Sequence, residues 1–294
     1  MSISLKAQAL AASLCVAAII VPTLASADPT FAVWLDGNTS AGGGGNGILT
    51  SLDNKFGSGH YTLVTTTQLE TAGFLNAYDT LIVSRYDSGF GTSMSAAAAA
   101  NVKTYVGSGA TQGGVAIFTN DAADNFFGAT TGDVYDANLD RLFTNAATYA
   151  AASHHGYIGE FNGAVMAMDS NSAGFSAMGL LTGAASAVGG YGPQFHYDVG
   201  PIGSGNPIDA GVTFPFTDGD TSTFLTYITG YNPNQVVDIY TDPTGGGING
   251  TPAVLANQFV ISGGGGDTGV PEPATLFLLS TGIGGLFAAR RRKA

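Results

Sequence analysis

The chain has 294 residues, 44 of them glycine, one cysteine and a formal net charge of −12. Between Asp28 and Glu272, four basic residues (Lys55, Arg85, Lys103 and Arg141) stand against 21 acidic ones, a net charge of −17. A surface this negative repels phosphate backbones and excludes nucleic acid as a partner. The only cysteine, Cys15, lies in the N-terminal apolar run. Once that run is lost no disulfide can staple the fold, and stability must come from burial.

The N-terminus has the three parts of a secretory signal. Lys6 supplies the positive region, Ala7 to Val21 is mostly apolar, and Ala25-Ser26-Ala27 is a small-x-small cleavage site before Asp28. Residues 1–27 are therefore expected to form a signal helix that signal peptidase removes, with Ala25 and Ala27 as the recognised positions. Leu14 before Cys15 is too large for a lipoprotein signal.

From Phe31 the pattern alternates. Phe31–Leu35, Tyr61–Thr65, Thr80–Ser84 and Gly114–Thr119 are short apolar runs that predict strands. Ile48 to Phe56, a segment opened by a capping box at Thr67-Gln68-Leu69-Glu70, Ser95 to Val106, and Ala137 to Ala152 predict helices. Continuous apolar runs suit parallel strands covered on both faces. The expectation is an α/β fold with a doubly wound, mainly parallel sheet, ordered 2-1-3-4 in the first half. Gly42 to Gly47 matches G-x-G-x-x-G, but Asp36 to Ala41 separate it from the preceding strand, so it reads as a surface loop.

The stretch Asn76-Ala-Tyr-Asp-Thr-Leu-Ile-Val-Ser84, a helix, then Tyr105-Val-Gly and Gly113-Gly-Val-Ala-Ile-Phe118 resembles class I glutamine amidotransferase-like domains. The resemblance covers roughly residues 30–150 and implies a flavodoxin-like sheet. Such enzymes place a nucleophile on a sharp turn after a strand. After Phe118 this chain offers Thr119, Asn120 and Asp121 instead, so no catalytic residue carries over.

From Gly183 the composition turns irregular and glycine-rich. Extra strands are expected at Val212–Phe216, Phe224–Ile228, Val236–Tyr240 and Ala253–Ile261, extending the sheet or forming an antiparallel edge. One exported domain, 28–262, is followed by a flexible linker, 263–269.

Candidate chemistry is sparse. His154 and His155 with Glu160, and His196 with Asp198, are candidates for acid–base or metal work. Asp218, Asp220 and Ser222 place oxygens at positions 1, 3 and 5 of a calcium loop, but Thr223 and Thr229 stand where glycine and glutamate belong. Calcium is thus the one cofactor weighed, and no other is expected. Asp133, Asp136 and Asp140 read as a solvated acidic turn. Tyr191, Phe195 and Tyr197 could form a sugar platform, while Trp34 reads as core.

The C-terminus reads Pro271-Glu272-Pro273, then an uncharged run at 274–289, then Arg290-Arg291-Arg292-Lys293. As a helix the run spans about 24 Å, slightly short of a typical hydrocarbon core, and the cations after it should stop transfer and stay on the cytoplasmic side. Residues 270–294 resemble the PEP-CTERM sorting signal of Gram-negative bacteria that make extracellular polysaccharide. That resemblance implies recognition by exosortase, transient anchoring in the inner membrane through the C-terminal helix, and release to the outer surface or medium. The function this suggests is a non-catalytic envelope or matrix protein associated with exopolysaccharide. The alternatives are a secreted hydrolase on an amidotransferase-like scaffold and a calcium-dependent binding module.

Overall fold

The computed structural model describes residues 28–35, 45–84, 94–120, 135–161, 163–191, 196–217, 223–242 and 247–257. Ten strands are seen among them: β1 Phe31–Leu35, β2 Tyr61–Leu63, β3 Thr80–Ser84, β4 Val115–Phe118, β5 Gly156–Glu160, β6 Ala184–Tyr191, β7 His196–Val199, β8 Thr223–Thr229, β9 Val236–Thr241 and β10 Pro252–Ala256. The α-helices are α1 Gly45–Phe56, α2 Thr66–Leu69, α3 Ala96–Val106, α4 Ala137–Ala151 and α5 Gly163–Ser170.

Eight strands form one sheet in the order β2-β1-β3-β5-β4-β10-β9-β7. The first five are parallel, and β10, β9 and β7 continue the sheet antiparallel. The mainly parallel α/β sheet is thus as expected, with one correction. β5 lies between β3 and β4, so the order is 2-1-3-5-4, whereas the flavodoxin order is 2-1-3-4-5. β6 and β8 form a separate two-stranded antiparallel sheet.

The apolar runs divide between two faces because successive side chains on a strand point to opposite sides. Phe31, Val33 and Leu35 pack with Ile48 and Leu52 of α1 and with Leu142, Phe143 and Ala146 of α4. Ala32 and Trp34 pack on the other face with Leu69 of α2, Val102 of α3 and Met168 of α5. Both layers meet β1 at 0–1% exposure, so the central parallel strands are covered on both sides, while β2 at the edge is partly exposed.

Local signals held where the chemistry was local. Ser95 caps α3 by accepting from Ala98 N–H at 3.2 Å, and Gly107 ends it at φ 75°. The capping box of α2 is shifted: Thr65 and Gln68 exchange the two bonds, at 3.2 and 2.8 Å, while Glu70 accepts from Ser95 Oγ at 2.6 Å. Val212–Phe216 is not a strand. Pro215 lacks an N–H, and Phe216 alone bridges to Tyr197.

Candidate functional site

In a doubly wound sheet, ligands bind outside the carboxyl ends of the strands. At β4 this edge is occupied. Thr119 and Asn120 prolong β4 and meet β8: Thr226 N–H donates to Thr119 O at 2.6 Å, and Asn120 bridges to Leu225. The Thr119 hydroxyl is fully buried against Tyr240 Oη at 2.9 Å, Pro252 O at 2.8 Å and Ala253 O at 3.1 Å. It ties the antiparallel extension to the parallel sheet. Replacing it with valine keeps the shape but removes a buried hydrogen-bonded hydroxyl, and should cost about 1–3 kcal/mol in urea unfolding.

Another strand-to-helix connection follows β5, where Phe161 leads toward α5. In sequence, Gly159-Glu160-Phe161-Asn162-Gly163 has the glycine spacing of a G-x-nucleophile-x-G elbow. Phe161, at the nucleophile's position, has φ 46°, left-handed backbone that a side chain other than glycine rarely adopts. Its ring turns inward at 0% exposure, stacked on Phe118 at 5.1 Å and tilted against Phe143 at 6.2 Å. Sequence reading sought this turn after Phe118 and missed it because β5, with two glycines and a glutamate, does not look like a strand. The signal available was the Gly159–Gly163 spacing.

Glu160 beside it is wholly buried. Its Oε1 accepts from Tyr157 Oη at 2.6 Å, and its Oε2 has no hydrogen-bond partner among the described residues. Burial, reinforced by the charge of Asp169, pushes its carboxyl well above the usual range, against the pull of Tyr157 and the Phe175 backbone. Asp169 on α5 is itself pushed up by burial, although the Ser176 and Ala185 amides donate to it at 3.3 and 3.0 Å.

The structure separates the histidine candidates from Glu160. His154 and His155 precede β5 and Glu160 ends it, so the length of the strand, about 13 Å at ~3.3 Å per residue, lies between them. His154 Nδ1 pairs with Asp79 Oδ1 at 2.6 Å, and His155 packs on the Tyr105 ring at 4.8 Å. Burial alone would raise Asp79, but bonds from Thr30 and His154 outweigh it and hold its carboxyl below the ordinary value. His196 and Asp198 share β7, where Asp198 Oδ1 accepts from the Val199 amide at 2.8 Å. Asp136 caps α4, accepting from the Asn138 and Leu139 amides at 2.8 Å each, and Asp140 accepts from Ser51 Oγ and Tyr135 Oη. Among the described residues no group of three or more His, Cys, Asp or Glu side chains could hold a metal ion. Tyr197 is not a platform: it is fully buried, stacked on Phe216 at 4.7 Å and 2°.

Several candidates lie outside the described residues: the signal with Ala25 and Ala27, the loop at 36–44, Asp133, Asp218, Asp220 and Ser222, Phe195, and the tail from 258 onward. No helix among the described residues is long and apolar enough to cross a membrane, and the run at 274–289 is not among them.

No curated protein and no solved structure matches the chain. One family model does match, over residues 269–293, and it is that of the PEP-CTERM protein-sorting motif. The match takes in Pro271-Glu272-Pro273, the apolar run and Arg290 to Lys293 together. The chain is therefore a PEP-CTERM protein, exported and targeted to exosortase by its C-terminal motif.

Proposed function

We propose that residues 28–262 form a non-catalytic envelope or matrix domain that associates with exopolysaccharide after both terminal signals are removed. Signal peptidase cuts after Ala27, and exosortase cuts near Pro271 to Pro273, freeing the domain from its transient anchor in the inner membrane. The observation that carries the non-catalytic reading is the elbow after β5. The backbone turn that presents a nucleophile in hydrolases is occupied by Phe161, whose ring is part of the core. The second position weighed, Thr119, spends its hydroxyl on β9 and β10.

The test is intact mass and fractionation of the native protein, with and without its exosortase, followed by sedimentation with native exopolysaccharide. Expected are a mature chain starting at Asp28 and lacking Arg290 to Lys293, its retention at the membrane when exosortase is absent, and co-sedimentation with the polymer. Extracellular protein that still carries the arginines would refute the second cut. Failure to bind the polymer would refute the matrix role.

A hydrolase reading has one observation in its favour, the buried Glu160 with an unpartnered oxygen at a strand's carboxyl end. Turnover of amide, ester or glycoside substrates that vanishes in Glu160→Gln would establish it over the matrix reading.

A further inference from the structure

Among the described residues the last strand in the chain, β10, is a central one in space. It lies between β4 and β9, and all five of its residues are buried. It pairs antiparallel on both sides: Leu255 faces Ile117 of β4 and Val236 of β9. In the sheet order it alone joins the parallel strands to β9 and β7. Until it docks, β4 and β9 each present an open sheet edge, a template for pairing with another chain.

Asn257 latches the strand. Its N–H donates to Val115 O at 3.1 Å. Its side chain carries the ladder one step further: Oδ1 accepts from Val115 N–H at 2.7 Å, and Nδ2 donates to Gly113 O at 2.8 Å. Tyr149 Oη of α4 donates to Oδ1 at 3.0 Å and also bonds the Asn257 carbonyl. Val115 opens β4, and β4 runs parallel to β5, β3 and β1. Asn257 beside Val115 and Asp28 before β1 therefore lie at the same end of the sheet. A closed domain can be held by either terminal signal from one side. Thirteen residues, 258–270, separate Asn257 from Pro271 of the sorting motif. An extended chain at about 3.3–3.6 Å per residue needs roughly 11–14 residues to cross the ~40–45 Å of a bilayer with its headgroups. Lys6 precedes the N-terminal apolar run without an arginine pair, so the signal is not of the twin-arginine type and the chain crosses extended. β10 thus emerges on the far side just as Pro271-Glu272-Pro273 and the apolar run arrive at the membrane.

We propose that the sheet closes on β10 while the chain is still anchored, so that exosortase acts on a folded domain. The anchor keeps the open edges of β4 and β9 apart from other chains until β10 joins them, and Asn257 is the positioning residue that holds the closed state. The inference rests on the reading of the two terminal signals and adds the order of events: closure first, cleavage second. It is independent of the exopolysaccharide reading.

The experiment follows a thiol that only docking of β10 buries. Val254→Cys and Ala256→Cys, at positions 0% exposed, are each made with Cys15→Ser in the full-length chain. Spheroplasts with and without exosortase are pulse-labelled and treated with a membrane-impermeant maleimide. The thiol should become protected while the chain still has the mass of the tailed form. The chain retained without exosortase should be as protected as the released one. Asn257→Ala should raise the labelling rate at least about tenfold, since several hydrogen bonds of the closed state are lost with the side chain. Protection that arises only after the tail is gone overturns the inference, and so does an unchanged rate in Asn257→Ala. If both thiol variants fail to fold, the wild type still decides: in detergent the retained chain must melt at the Tm of the released one, and a lower Tm overturns the inference. Released protein that keeps Arg290 to Lys293 overturns the exosortase reading and this inference with it, whereas normal cleavage of an unprotected chain overturns this inference alone.

Discussion

Phe161→Ala should lower the unfolding free energy by about 3–5 kcal/mol, the cost of emptying a large buried aromatic site. The ring is at 0% exposure and in contact with Phe118 and Phe143, so its removal opens a cavity between β4 and α4. The backbone adds a second comparison. At φ 46° a side chain pays roughly 1–2 kcal/mol for left-handed geometry, and glycine does not. Glycine's greater freedom in the unfolded chain costs about 0.5–1 kcal/mol in the opposite direction. Phe161→Gly is therefore expected to be at least as stable as Phe161→Ala, the reverse of an ordinary site. Urea unfolding of the two variants measures the difference. An alanine variant clearly more stable than the glycine one would mean that the elbow is not left-handed, and the argument from its shape to lost catalysis would fall with it.

The second large effect is on pH. In calcium-free buffer, Tm should be highest near about pH 4–5 and fall toward pH 8. Four carboxyls are responsible. Burial raises Asp238, and Asp209 and Asp198 facing it raise it further. Burial pushes Asp209 up to about 7, against the bond with Asp238. Burial and Asp169 raise Glu160, with Tyr157 opposing, and burial raises Asp169 against its amide donors. Unfolded, such groups release their protons near about pH 3.9–4.3. Folded, they keep them to higher pH, so the native state binds more protons throughout that window. Stability is then full below the unfolded values and is lost as pH rises toward the folded ones. Asp79, held below its ordinary value, acts oppositely and sets the acid limit. A fall of at least about 2–4 °C is expected, the shift that 1 kcal/mol produces in a domain of this size. Asp238→Asn and Glu160→Gln should each flatten the slope. A wild-type Tm that is level or rising from pH 5 to 8 would contradict the protonated state of these groups.

The comparison of sequence with structure has a physical pattern. What depended on residues close in the chain was legible. The Pro-Glu-Pro, apolar run and arginines identify the sorting motif because that signal is read as a linear segment. Phe31–Leu35 and Thr80–Ser84 show as buried strands because they are apolar throughout, and Ser95 and Gly107 mark α3 because caps are local bonds. The sorting motif and four of the five parallel strands could thus be read from the chain alone.

Tertiary structure decided the rest. Gly156–Glu160 becomes the strand between β3 and β4 only because the helices α4 and α5 cover it, and its glycines admit close neighbours: at Gly156 a Cβ would lie 2.3 Å from Ala150 O. That one insertion moves the elbow from Thr119 to Phe161 and parts His154 and His155 from Glu160. Asp209 and Asp238 are 29 residues apart with no shared motif, and they meet because the antiparallel strands fold the segment after β7 back over β9. Strand order and buried acid pairs arise from contacts between distant segments, and no periodicity in the chain encodes which segments those are.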